Sequence, residues 1–157
     1  MDQCGMRLME AKRSQRGMSL MEILLVIVLI GIMSAFAIPR LTDAMNSQNV
    51  QSARAAFVAT YAQARYTAIQ RGSTASLVLS GNVLRISSTN PVTNVTESVG
   101  NSVSLSDRYG VSVSPTSYTW TFDPRGIGNA TAQTSVTISK STHATQVLIS
   151  AAGRVIQ

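Results

Sequence analysis

The sequence predicts an α+β chain: a long N-terminal helix, one half built for a membrane and the other amphipathic, packed on a C-terminal antiparallel β-sheet head. Three observations predict it. From Ile23 to Ile38 there is no charged residue, and only Gly31 and Ser34 interrupt the apolar run. Beyond that run, apolar residues recur at the spacing of one helical face. From Thr74 the pattern changes to the alternation of half-buried strands, punctuated by turn residues.

The totals fit one domain plus an accessory segment. The chain has 157 residues, 45% of them apolar but only 5% aromatic. Ser, Thr, Ala and Val dominate its second half, a composition suited to short strands. The net charge of +6 is unevenly placed, because Arg7, Lys12, Arg13 and Arg16 precede the apolar run against only Asp2 and Glu10. Basic residues on that side hold the N-terminal end in the cytoplasm, and basic character alone does not establish a nucleic-acid partner. The only cysteine, Cys4, also lies upstream of the run. The part that reaches the outside therefore has no disulfide, and a lipoprotein signal, whose cysteine follows the apolar region, does not fit.

Counted from Met18, the run is just long enough to cross roughly 30 Å of hydrocarbon at about 1.5 Å per residue. Glu22 is the anomaly in it, since a carboxylate at the centre of a membrane helix costs roughly 2.5 to 3.5 kcal/mol and calls for a partner. Two cuts are conceivable. Ala35-Phe36-Ala37 has the small-x-small form of a signal-peptidase site, but Glu22 and the length of 37 residues that such a signal would have argue against it. The other cut falls before the run, between Gly17 and Met18.

Arg16-Gly17-Met18-Ser19-Leu20-Met21-Glu22 resembles the type IV prepilin signal: a basic leader ending in Gly, an N-methylated residue, three further residues, Glu, and an apolar helix. Met18 and Ser19 stand where most members have Phe and Thr. The resemblance implies a leader over 1–17 removed by a prepilin peptidase/methyltransferase, N-methylation of Met18, and a transmembrane helix over 18–39. It also implies that Glu22 pairs with the new α-amino group of a neighbouring subunit. Pro39 is the twenty-second residue counted from Met18, where the family commonly has Pro. By its chemistry Pro39 marks a kink or the end of the span; the resemblance adds a place where the helix melts when subunits pack.

The amphipathic helix is expected over 40–72. Val50, Ala53, Phe57, Tyr61, Ala64 and Ala68 form its apolar face, Arg54 and Arg65 a solvated one, and Arg71-Gly72 a basic last turn and a stop. The head is expected over 73–157. Ala75, Leu77 and Leu79, the turn Gly81-Asn82, and Val83, Leu84 and Ile86 read as a β-hairpin. Asn90-Pro91 through Asn101 reads as a loop, within a polar tract reaching from Ser87 to Ser102. Short strands follow at Val103-Ser104-Leu105, Val111-Ser112-Val113, Tyr118 to Phe122, Val136-Thr137-Ile138 and Val147-Leu148-Ile149, so the second half reads as all β. His143 falls in a hairpin loop.

Three segments are similar to those of the GspH/FimT (pseudopilin H) family: Ala64 to Gly72, Phe122-Asp123-Pro124-Arg125-Gly126, and Ile149 to Val155. This resemblance implies a pilin-like fold and a minor pilin or pseudopilin, a structural subunit of a type II secretion pseudopilus or a type IV pilus. Its partners are then other pilin or pseudopilin subunits. Its location is the inner membrane, single-pass, N-terminus cytoplasmic and head periplasmic, and afterwards the assembled filament. The alternative is a minor pilin that holds DNA during uptake through Arg154, Arg125 and Lys140; Gly153-Arg154 is kept, but Ile156 stands where a second Arg of that motif belongs. No enzyme is expected: His143, Asp107 and Asp123 can be drawn as a triad with a serine, but no nucleophile elbow or paired spacing supports one. Neither a metal nor a cofactor is expected, for want of a second His or a downstream Cys.

Overall fold

A computed structural model describes residues 19–130 and 132–156. The leader expected over 1–17 and the cut at Gly17 and Met18 therefore lie outside the described residues. The chain divides into two compact units, Met1–Arg40 and Leu41–Gln157. One helix, α1 (Leu20–Arg71), belongs to both.

In the first unit α1 is apolar on every side, and its lipid-length window is not buried in the protein. Leu20, Leu24, Ile27 and Met33 are all exposed. In the second unit one stripe of α1 is buried: Val50, Ala53, Phe57, Tyr61, Ala64 and Ala68 are each at most 3% exposed. These are the positions that the 3.6-residue period selects.

The stripe is the shared floor of two four-stranded antiparallel sheets. The first has the order β3-β2-β1-β5, with β1 (Ala75–Ser80), β2 (Val83–Thr89), β3 (Thr96–Ser104) and β5 (Ser117–Phe122). The second has the order β4-β6-β7-β8, with β4 (Ser112–Ser114), β6 (Thr134–Lys140), β7 (His143–Ile149) and β8 (Val155–Ile156). A five-residue helix, α2 (Leu105–Tyr109), separates β3 from β4. Leu77, Leu79, Leu84, Ile86, Trp120 and Phe122 from the first sheet and Val136, Ile138, Val147 and Ile149 from the second bury their side chains in one core with the helix stripe.

The expected hairpin is β1–β2, with Ser80 opposite Val83. Gly81 and Asn82 both have positive φ, 53° and 67°, as a two-residue turn matched to the strand twist requires. Asn82 also ties the sheets together: its carbonyl accepts from Leu105 N and its side-chain oxygen from Val113 N at 2.8 Å.

Four expectations are corrected. The tract read as a loop up to Asn101 contains most of β3. This edge strand buries little, and the register slips by two residues between the Leu84–Val103 and Ile86–Val99 pairs, so no clean alternation is left in its sequence. Leu105 is not a strand residue. It opens α2, whose N-cap Ser104 accepts from Asp107 N at 3.2 Å and which Gly110 ends in a left-handed conformation, so the second half is not all β. His143 is half-buried as the first residue of β7; the turn is Ser141-Thr142. Arg54 is half-buried, with Nε fully covered, whereas Arg65 is exposed as expected.

Phe57 is fully buried and meets Trp120 edge-on at 5.5 Å between ring centroids. Phe57→Ala is expected to destabilise the head by about 3–5 kcal/mol, read as a shift in the denaturant midpoint; a shift within the scatter of surface substitutions contradicts the core described here.

Candidate functional site

Two places hold the residues singled out in the sequence. The first is the start of α1. Ser19 precedes the helix, and its carbonyl accepts from Glu22 N at 2.9 Å and Ile23 N at 3.2 Å. Glu22 thus sits in the first helical turn, exposed, where the positive end of the helix dipole favours a carboxylate. The helix continues through Pro39 to Arg71, so the proline does not end it; the boundary between the two units falls just beyond, after Arg40.

The second place is a corner of the head where the three family-like segments meet. A Cβ on Gly126, in the turn after β5, would lie 2.7 Å from Ile69 Cδ1 and 3.2 Å from Arg65 Cγ, so the turn sits directly on the end of α1. Gly126 also has φ +76°, where a side chain is strained in any case. Two residues on, Gly128 meets the loop between β7 and β8 backbone to backbone. A Cβ there would lie 2.7 Å from Gly153 Cα, and Gly128 N donates to Ala152 O at 3.2 Å. Gly153 in turn leaves room for the Tyr61 hydroxyl, 3.3 Å from where its own Cβ would be. Helix, turn and terminal loop are therefore one junction, and glycine is needed wherever backbone meets backbone.

Asp123 shapes the turn. Its Oδ1 accepts from Arg125 N at 3.0 Å and Ile127 N at 2.8 Å, as an Asx-type turn requires. Ser150 Oγ does the same for the terminal loop, accepting from Arg154 N at 3.1 Å.

This geometry sorts the three cations proposed for DNA. Arg125 and Arg154 are exposed and flank the same junction. Lys140 does not join them: it pairs with His143 at one end of β7, while Val155, next to Arg154, pairs with Ile149 at the other. At about 3.3 Å per residue the two ends are roughly 20 Å apart. Lys140 Nζ instead donates to Tyr109 O at 2.9 Å, at the C-terminal end of α2. Arg65, which the sequence reading placed only on a solvated helix face, belongs to the corner through its contact with Gly126. That contact joins residues 61 positions apart, and no spacing rule could have found it.

Tyr61 is the buried phenol of the junction. Burial pushes its pKa up from 10.0 to about 12, against the opposing pull of the Arg65 guanidinium. The unfolded phenol ionises near 10 while the folded one keeps its proton, so this contribution to stability is intact below about pH 10 and is lost as the pH rises toward 12. The alkaline fall in Tm is therefore expected to be shallower in Tyr61→Phe than in the wild type; parallel profiles for the two proteins contradict it.

Comparison with known families agrees with both places. The prokaryotic N-terminal methylation motif matches residues 12–38, and the type II transport protein GspH family matches residues 53–153. No curated protein and no solved structure matches the chain. The GspH match spans well over half of the sequence and contains the whole junction from Tyr61 to Gly153. The chain belongs to the GspH family of type II transport proteins, and it is a prepilin-type structural subunit.

Proposed function

We propose that the chain is a minor pilin or pseudopilin, made with a leader over 1–17 that a prepilin peptidase removes between Gly17 and Met18. Met18 is then N-methylated. The segment 18–39 holds the subunit in the inner membrane with its head, 73–157, in the periplasm, and the amphipathic segment 40–72 carries that head. Assembly draws the subunit out of the lipid into a type II secretion pseudopilus or a type IV pilus.

The observation that carries this reading is the contrast within α1. One uninterrupted helix buries a stripe against its own head in one half and leaves an apolar surface uncovered in the other. Such a surface needs lipid or neighbouring helices to cover it. Glu22 fits the second cover better than the first. Leader removal creates a positive α-amino group, and two charges that are each costly in an apolar medium become a pair between subunits. Pro39 lacks the N–H that would bond back into the helix, which makes the segment around it the natural place for α1 to open when helices pack.

A second reading, a head that holds DNA, is favoured by the meeting of Arg125, Arg154 and Arg65 at one corner. It loses Lys140 for the reason given above. Three cations give weak binding that falls steeply with salt, and an electrophoretic shift of a short duplex at low salt is the observation it requires.

For the assembly reading, Glu22→Gln is expected to lower incorporation into filaments by about tenfold or more, since an unpaired buried charge costs several kcal/mol. The mature wild-type protein is expected to begin at Met18. Wild-type incorporation of the variant contradicts the pairing, and a mature N-terminus at Ile38 contradicts the membrane anchor.

A further inference from the structure

We propose that the corner at the C-terminal end of α1 docks a different protein, through a segment of that protein that combines apolar side chains with carboxylates. The surface lies entirely within the second unit, and the inference holds whether or not Glu22 pairs between subunits as proposed above.

The first argument is uncovered apolar surface. Tyr66 and Ile69, three residues apart on α1 and therefore neighbours on its surface, are 58% and 48% exposed, and Ile127 is 47% exposed. Ile69 Cδ1 lies 2.7 Å from where a Cβ of Gly126 would be, and Ile127 is the next residue of that turn. Tyr66 and Ile69 stand off the stripe that the two sheets bury. Single exposed apolar residues are ordinary, but an aromatic ring and two isoleucines brought to one corner mark a contact surface. The other large exposed apolar residues described in this unit are scattered: Leu41 and Met45 near its start, Val92 and Val95 in the loop before β3, and Ile156 in β8.

The second argument is charge. Arg65 meets Gly126 through its Cγ, Arg125 precedes that glycine, and Arg154 follows the Gly153 that packs on Gly128. All three arginines are exposed. The acid of this corner, Asp123, is half-buried, and its Oδ1 already accepts from two backbone N–H groups of the turn. Apolar and aromatic residues beside guanidinium groups have the composition of a protein interface. The surface that complements them is apolar and carries carboxylates.

The third argument separates the partners. A DNA duplex would neutralise the arginines and leave the isoleucines in water. A second copy of this chain offers no matching acid from its second unit: besides Asp123, Glu97 pairs with Arg71 at 3.9 Å, Asp107 adjoins Arg108, and Asp43 stands three residues from Arg40. The occupant is therefore another protein.

The full-length protein in detergent micelles, with benzoyl-phenylalanine in place of Ile127, is irradiated with the capped peptide acetyl-Glu-Leu-Glu-Ala-Leu-Glu-amide. The expected result is a saturable adduct, half-maximal at about millimolar peptide. Replacing either every Glu by Gln or every Leu by Ser in the peptide is expected to lower the yield about fivefold or more. Arg65→Gln with Arg125→Gln keeps the methylenes that touch Gly126 and is expected to raise the half-maximal concentration about fivefold. Arg85→Gln, on β2, leaves it unchanged. In cells the same probe is expected to join the chain to a different protein, at a site containing Asp or Glu beside apolar residues, and to lose that adduct in the double arginine variant. Equal adducts from the Gln peptide, equal labelling when the probe stands at Val92, or cellular adducts only to nucleic acid or to other copies of this chain overturn the proposal.

Discussion

Everything in the head depends on one stripe of α1. Phe57 and Tyr61 meet Trp120 edge-on, and Tyr61 meets Phe122 at 5.0 Å in the same way. These aromatic contacts seat the first sheet on the helix, and the alanines at 53, 64 and 68 let strands approach where no large side chain would fit. The second sheet reaches the same floor through Val136, Ile138, Val147 and Ile149. With only 5% aromatic residues in the chain, four of them converge on this contact. The small head is stable because its helix supplies a third layer to a core that two short-stranded sheets could not close.

How much of this could be read in advance followed from how local each signal is. The helix stripe was legible residue by residue, because burial along a helix repeats in sequence. So was the β1–β2 hairpin, where Gly81-Asn82 supplies two positive φ angles. β3 was not, because an exposed edge strand with Gly100 at its register slip carries no alternation to detect. α2 was hidden for another reason: five residues are too few to show a helical period, and only the Ser104 cap and Gly110 stop betray it. At the corner, the family-like segments at 64–72, 122–126 and 149–155 could be quoted separately, but their meeting is a tertiary fact resting on Gly126, Gly128 and Gly153. Whether Lys140 comes near Arg154 could not be read in advance, because it is decided by the register of β6 on β7, which puts them at opposite ends of a sheet.

The two halves of α1 obey opposite rules. From Val50 onward, burial is complete on one face and the helix needs no partner outside its own head. Before Pro39, Ile23, Ile27 and Ile30 stand exposed with their neighbours on every side, a surface no soluble helix keeps. On the function proposed above, lipid would satisfy it in one setting and parallel helices of other subunits in another, with similar contact chemistry. A carboxylate in the first turn then becomes a discriminator. On that proposed function, it would be a penalty at the membrane edge in lipid, and beside a neighbour's α-amino group a pair that fixes how far one helix is shifted against the next.

The most direct test of this account asks what covers the apolar half of α1 in the cell. With a photoreactive benzoyl-phenylalanine in place of Ile27, irradiation is predicted to join the chain to other pilin-type subunits when the assembly machinery is present, and to give no protein adduct when it is absent. Failure to form any protein adduct with the machinery present, or equal adducts in its absence, would contradict the claim that this helix leaves the membrane to pack among subunits.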